Sequence, residues 1–502
     1  ERMFPPLSAS LPALARRLPG ALATVHRWLG IAGCLLFVMW FGSGLVMSVV
    51  GFPALSDAER LHGLGVLDAA QIRVSPTAAL QAAGVHSFPR RLWLEALPRE
   101  DGSSEPVWRM TMADGGRHAI SARSGARVTA IDVARAEAIA RAFSGQPGAR
   151  HVGIVERDQW TVLATLDRQR PFHRIALDDE AGTELYVSAR SGEVVRDSTQ
   201  RERFWNWLGA VPHWFYFTPL REQSALWRQT LLWVSGICCI SALSGLLLGV
   251  LRLRRRAPLS PFSGWMKLHH LAGLGGGLFV LAWMVSGWLS MSPGDWLRNT
   301  PPGNAAMARY TGSVAATFPW PHDTRALAPL FAEADWKEVQ LYWVRGQARM
   351  TLTAGNGFRR SVDMPDLGHP DVTEHHAEAV ARALIPDARL AAIERLIHED
   401  AWWYARRDAK ELPVWRVKLE DDAETWVHID ALDGRLLGTL DRDARLRRWL
   451  FNAPHSFELP ALAGRPAQRY ALLWLAALAG LTLSVSAVVI AARRLSRPRV
   501  DR

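Results

Sequence analysis

The 502 residues exceed what one domain accommodates, and the net charge is +11. That charge clusters beside apolar runs, so it reads as a topology signal and not as a nucleic-acid surface. The three cysteines, Cys34, Cys238 and Cys239, all lie inside apolar runs and read as small packing residues. The polar segments therefore carry no disulfide framework, and the absence of CxxCH excludes covalent c-type haem.

Residues 1–27 read as a cytoplasmic N-terminus, with Arg16, Arg17 and Arg27 ahead of the first apolar run. Residues 28–50 contain no Asp, Glu, Lys or Arg. They are long enough to cross a hydrocarbon core, which takes about 20 apolar residues. This first span is too long for a cleaved signal peptide and reads as a signal anchor. Residues 51–228 read as an exported α+β domain. Alternation predicts strands over 108–112, 174–177 and 185–188, an amphipathic helix over 134–143 and a hairpin turn at Ser191-Gly192. Residues 229–251 form a second charge-free span. Arg252, Arg254, Arg255, Arg256 and Lys267 mark 252–267 as a cytoplasmic loop. A third span covers 268–291. A second exported α+β domain covers 292–469, with a loop expected over 298–323, a helix over 373–384 and a turn at Asp433-Gly434. Residues 470–492 form the fourth span. Arg493, Arg494, Arg497, Arg499 and Arg502 make 493–502 a cytoplasmic tail.

The two halves match at a nearly constant offset. His26, Gly30, Gly33, Trp40, Ser43 and Gly44 meet His269, Gly273, Gly276, Trp283, Ser286 and Gly287. In the exported segments, Pro171, Arg174, Trp207, Pro212 and His213 meet Pro413, Arg416, Trp449, Pro454 and His455. This is an internal repeat. Each copy holds an even number of spans, so the copies run in parallel about an axis along the membrane normal, and equivalent residues should face each other at equal depth.

Two histidine couples sit at equivalent positions: His26 with His269, and His213 with His455. His26, Gly30 and Gly33 share one helix face, as do His269, Gly273 and Gly276. Glycine one and two turns from an imidazole lets a flat group lie against the backbone, and porphyrin iron is a common partner of neutral imidazole. The competing explanation is close helix packing through small residues. His269 is preferred over His270, which is followed at the same spacing by Leu274. His213 and His455 follow aromatic clusters (Phe204, Trp205 and Trp207; Trp449 and Phe451) of the kind found at membrane interfaces. A core about 30 Å thick keeps His26 from sharing an iron with His213. The expected axial pairs are therefore His26/His269 at the inner face and His213/His455 at the outer one. Two axial histidines leave no open position, which favours electron transfer, and neither pair has the extra ligands zinc requires. Trp40 and Trp283 lie mid-span, as core or between the two centres. No P-loop, GxSxG or HExxH is present, nor a flavin or nicotinamide domain, so electrons should come from a partner reductase or membrane quinol.

The HRWLG first span, the PVWRV…HIDALDGRLL stretch, the outer histidine and the LHHLAG third span resemble PepSY-associated transmembrane proteins. The resemblance covers most of the chain. It implies two α+β PepSY-like periplasmic domains on four transmembrane helices in a bacterial inner membrane. It also implies two b-type haems on His26, His213, His269 and His455, with reduction of ferric-siderophore complexes in the periplasm. The fused flavodoxin-like reductase of some relatives is missing here. A docking site for such a complex is expected near Trp402, Trp403 and Arg406, the two tryptophans being read first as buried core. The rival function is a haem-free membrane anchor whose exported domains bind peptides or restrain a protease. Reduction of cupric or other metal ions by the same haems is a third option.

Overall fold

The structure is a computed structural model that describes residues 11–312, 314, 316–405, 410–462 and 464–496. The chain divides into two compact units. One comprises Glu1–Phe52, Phe204–Arg298 and Leu446–Arg502, the other Pro53–Arg203 and Asn299–Arg445.

Four long helices build the first unit: Leu11–Met47, Ser224–Leu251, Gly264–Ser290 and Pro466–Leu495. Each contains a stretch long and apolar enough to cross a membrane. They extend past the charge-free runs, taking in Arg228, Lys267 and Arg469. Charge marks the edge of an apolar slab, whereas main-chain hydrogen bonding carries the helix on into its polar flank. The first helix packs on the second and fourth, as does the third, so the first and third stand diagonally across the bundle. Their shared core holds Phe37, Trp40, Phe41, Cys238, Val280, Trp283 and Met284. Small residues set the spacing. A Cβ on Gly276 would stand 3.1 Å from Ala479, and one on Gly480 would stand 2.6 Å from the Phe41 ring. Cys34 and Cys238 are buried among these helices, in keeping with a packing role. Two short helices, Ala210–His213 and Ala453–Ser456, pack on the first and third long helices respectively.

The second unit is α+β with antiparallel sheets. From the first half come β1 (Arg91–Pro98), β2 (Ser104–Thr111), β3 (Arg117–Ser121), β4 (Ala149–Val155), β5 (Phe172–Leu177), β6 (Glu184–Ser188) and β7 (Val194–Ser198). From the second come β8 (Trp336–Val344), β9 (Gln347–Ala354), β10 (Arg359–Asp363), β11 (Arg389–Leu396), β12 (Val414–Glu420), β13 (Trp426–Asp430) and β14 (Leu436–Leu440). The strands expected over 108–112, 174–177 and 185–188 fall within or largely on β2, β5 and β6. The expected helices are Val133–Ser144 and Glu374–Leu384. Gly192 and Gly434 adopt positive φ in the β6–β7 and β13–β14 turns, where a side chain would be strained.

Strands β4 to β7 and β11 to β14 form two four-stranded sheets of the same order, with matching bulges between β6 and β7 and between β13 and β14. The remaining strands form one sheet of order β10-β9-β8-β1-β2-β3, which reads alike from either edge. At its centre β1 pairs antiparallel with β8, so the two long segments share a sheet and a core that includes Leu92, Leu94, Trp108, Trp336, Val339 and Leu341. The segment expected as loop over 298–323 contains a helix, Asn304–Thr311. Its small residues masked an apolar face: Tyr310 is buried, and Ala306 and Met307 pack on the core beneath the second small sheet.

Candidate functional site

Both predicted histidine couples meet within the helical unit. His26 and His269, on the diagonal first and third helices, have ring centres 6.3 Å apart. His213 and His455, on the two short helices, also have ring centres 6.3 Å apart. Ser43 and Ser286, which meet the outer couple, lie seventeen residues beyond His26 and His269 on the same helices. That is about 25 Å of helix rise, so the couples occupy opposite ends of the bundle.

A common device orients all four imidazoles. Ser43, Ser244, Ser286 and Ser486 each donate a hydroxyl proton to the carbonyl three residues earlier, that of Trp40, Ser241, Trp283 and Leu483 respectively. With its proton committed, each hydroxyl can only accept from the nearby imidazole. Nδ1 of His213 lies 3.0 Å from Ser43 Oγ, and Nδ1 of His455 lies 2.9 Å from Ser286 Oγ. Nδ1 of His269 lies 3.0 Å from Ser486 Oγ and 3.3 Å from the Leu483 carbonyl. Nδ1 of His26 lies 3.0 Å from the Ser241 carbonyl and 3.5 Å from Ser244 Oγ. Acceptors at every Nδ1 place the proton there. That leaves the lone pair on each Nε2, as a metal ligand requires.

The spacing can be tested against a shared metal. With metal–imidazole bonds of about 2.0 Å and ring centres about 1.1 Å beyond the nitrogens, two imidazoles on opposite sides of one ion stand about 6.2 Å apart. Both couples match that separation. Two nitrogens per site suit an ion whose other positions are filled by a planar macrocycle. Among the described residues no cluster of three or more His, Cys, Asp or Glu could hold a bare ion.

The glycines divide. A Cβ on Gly30 would meet no atom within 4 Å, and one on Gly273 would meet only Leu483, so both leave room beside the inner couple. A Cβ on Gly33 would meet Phe37 of its own helix and Cys238 at ordinary contact distance, whereas Gly276 abuts Ala479 and serves helix packing. Gly44 and Gly287 each approach an outer imidazole: a Cβ at either position would stand 3.6 Å from Cε1 of His213 or His455 respectively. His270 turns away from the couples. Its Nε2 lies 2.9 Å from the Gly249 carbonyl and its Nδ1 2.9 Å from Ser260 Oγ, so both nitrogens are engaged.

Between the couples lies an aromatic core. Trp40 stacks on Phe215 at 6.0 Å, Phe41 lies 5.6 Å from Trp283, and Trp283 lies 6.0 Å from Phe457. Phe215 and Phe457 both follow a site histidine by two residues and both adopt φ near +50°. The roles of the four serines and of these phenylalanines escaped the sequence reading. Ser43 with Ser286, Ser244 with Ser486 and Phe215 with Phe457 stand at matching positions of the two halves, and that was the available signal.

In the other unit, Trp403 is buried, stacked on His428 at 4.6 Å, with its indole N–H donated to the Glu411 carbonyl. Trp402 packs edge-on against Trp426. Trp403 is thus a packing residue, Trp402 is half-buried, and Arg406 lies outside the described residues. No family model matches the chain, and no curated protein matches it.

Proposed function

We propose that the chain is a transmembrane di-haem b oxidoreductase of the PepSY-associated kind, built by duplication of a two-helix unit and set in a bacterial inner membrane. Its proposed role is to carry electrons from a quinol or a partner reductase to a ferric-siderophore or similar iron complex in the periplasm, one electron converting each ferric ion to ferrous. The observation that carries this reading is that both histidine couples have the ring spacing of two ligands on one ion, with every Nδ1 given an acceptor. His26 and His269 would hold the inner haem, and His213 and His455 the outer one. Haem held there by the two histidines would supply one-electron chemistry.

The chain's own residues do the rest. The serines and their paired carbonyls hold the imidazoles in the Nδ1–H tautomer and correctly turned. Gly30 and Gly273 leave space beside the inner couple. Phe41, Trp283 and Phe457 exclude water from the middle of the bundle. The arginine-rich flanks orient both termini to the cytoplasm, with the α+β regions outside.

A visible spectrum and a haem count on the purified protein test the reading. Two haems per chain with reducible Soret and α bands are expected. His213→Ala and His269→Ala should each lose about one haem, because each removes half of the axial hold on one iron. A colourless preparation would discard the redox role and favour the haem-free peptide-binding alternative.

A further inference from the structure

A serine hydroxyl is the nearest Nδ1 partner on both sides of the outer couple, and at His269 but not at His26 of the inner one. At the inner couple a main-chain carbonyl is within hydrogen-bonding distance of each imidazole, at 3.0 Å for His26 and at 3.3 Å for His269, where the Ser486 hydroxyl at 3.0 Å is nearer. At the outer couple the nearest partner on both sides is a serine hydroxyl, Ser43 at 3.0 Å and Ser286 at 2.9 Å. The Trp40 and Trp283 carbonyls stand behind these serines and take their hydroxyl protons. A carbonyl belongs to the helix and survives any side-chain change, whereas a hydroxyl does not.

Resting on the di-haem reading, we infer that Ser43 and Ser286 are positioning residues that set the electron affinity of the outer centre, while at the inner centre His26 is served mainly by the Ser241 carbonyl. The physical chain is short. An acceptor at Nδ1–H makes the imidazole a stronger donor through Nε2. A stronger donor favours ferric iron and lowers the reduction potential, and second-shell hydrogen bonding is one of the protein's levers on that potential. Each serine hydroxyl is polarised by donating its own proton, which strengthens it as an acceptor. Removing it takes away the nearest acceptor of Nδ1–H and weakens the donor, so the potential of that centre rises. Ser43 and Ser286 act on opposite ligands of one centre, so their effects fall on the same haem. Ser244 stands 3.5 Å from His26 while the Ser241 carbonyl stands at 3.0 Å, so its loss matters less.

The test is a potentiometric titration of the full-length purified protein, following the α band of each haem. The outer haem is identified as the one lost in His213→Ala. Ser43→Ala and Ser286→Ala should each raise the outer midpoint. A roughly tenfold loss of preference for the ferric form corresponds to about 59 mV for a one-electron couple. The inner midpoint should stay in place, Ser244→Ala should move it less, and Ser43→Thr should restore the wild-type outer value. If Ser43→Ala sheds the outer haem, retention of that haem by Ser43→Thr supports the hydroxyl role, and its loss from both overturns it. Unmoved outer potentials, a shift of both haems together, or an equal effect of Ser244→Ala also overturns it. A wild type without haem defeats the di-haem reading itself. Two haems with potentials indifferent to these serines defeat only this inference.

Discussion

Gly245 shows how a single missing carbon shapes the inner couple. A Cβ there would stand 2.5 Å from Cε1 of His26, closer than atoms approach, so the second helix can pass the imidazole only as glycine. Gly245→Ala is therefore expected to push His26 aside and to lose about one haem per chain, with the haem of His213 and His455 kept; a haem count on the purified variant checks this. His428 offers a residue-scale test in the other unit. It is fully buried, its Nε2 accepts from Arg416 Nε, and Trp403 covers its ring. Burial, then Arg416 and Lys410, push its pKa down to about 3, with Asp400 opposing. The unfolded chain binds this proton near pH 6.5 and the folded one does not, so stability falls as pH drops from about 6.5 toward 3, by up to about 1.4 kcal/mol per pH unit. Burial alone would raise the Asp400 pKa. Hydrogen bonds from Arg416 and from the main-chain N–H groups of Trp402 and Trp403 outweigh it and hold the carboxyl down to about 2, so its contribution is lost only below about pH 4. His428→Gln cannot titrate and should flatten the thermal midpoint between pH 7 and pH 5, measured on the full chain in detergent.

Among elements, the β1–β8 pairing joins the two halves of the sequence and carries a built-in conflict. Glu95 and Glu338 are directly opposed in the register, and both are buried. Like charges facing across strands repel. Arg60, from the helix Asp57–Gly63, resolves this by reaching Glu338 at 2.7 Å and Glu95 at 3.5 Å. Arg91 adds a contact to Glu338 at 3.0 Å, and Arg109 bonds Glu95. Arg60→Met is expected to destabilise this unit by about 3 kcal/mol, because it strips a counter-charge from two buried carboxylates. The loss should show as a lower unfolding midpoint, with the haem spectrum of the helical unit unchanged. A midpoint within error of the wild type would mean that Arg91 and Arg109 suffice.

For the whole molecule, the prediction concerns orientation. Four helices are long and apolar enough to span a membrane, and the loop between the second and third carries Arg252, Arg254, Arg255 and Arg256. If the positive-inside rule governs insertion, a cysteine placed at Pro258 stays protected from an impermeant thiol reagent in intact cells, while one placed at Asp101, at an exposed β1–β2 turn, is labelled. The reverse pattern would invert the proposed direction of electron flow, since His26 and His269 sit at the arginine-rich end.

Periodicity and charge in the sequence were enough for the four apolar helices, several strands and the two hairpin turns, because each is decided by residues near in the chain. Pairing His26 with His269 and His213 with His455 was also within reach, since matching halves imply matching depth. The join of β1 to β8, the helix Asn304–Thr311, the split of the glycines between open space and packing, and the serine acceptors were decided by tertiary structure. Each depends on which atoms arrive from distant segments. An imidazole's free nitrogen is settled by whatever meets its other one, and for His26 and His269 those partners lie on helices more than two hundred residues away.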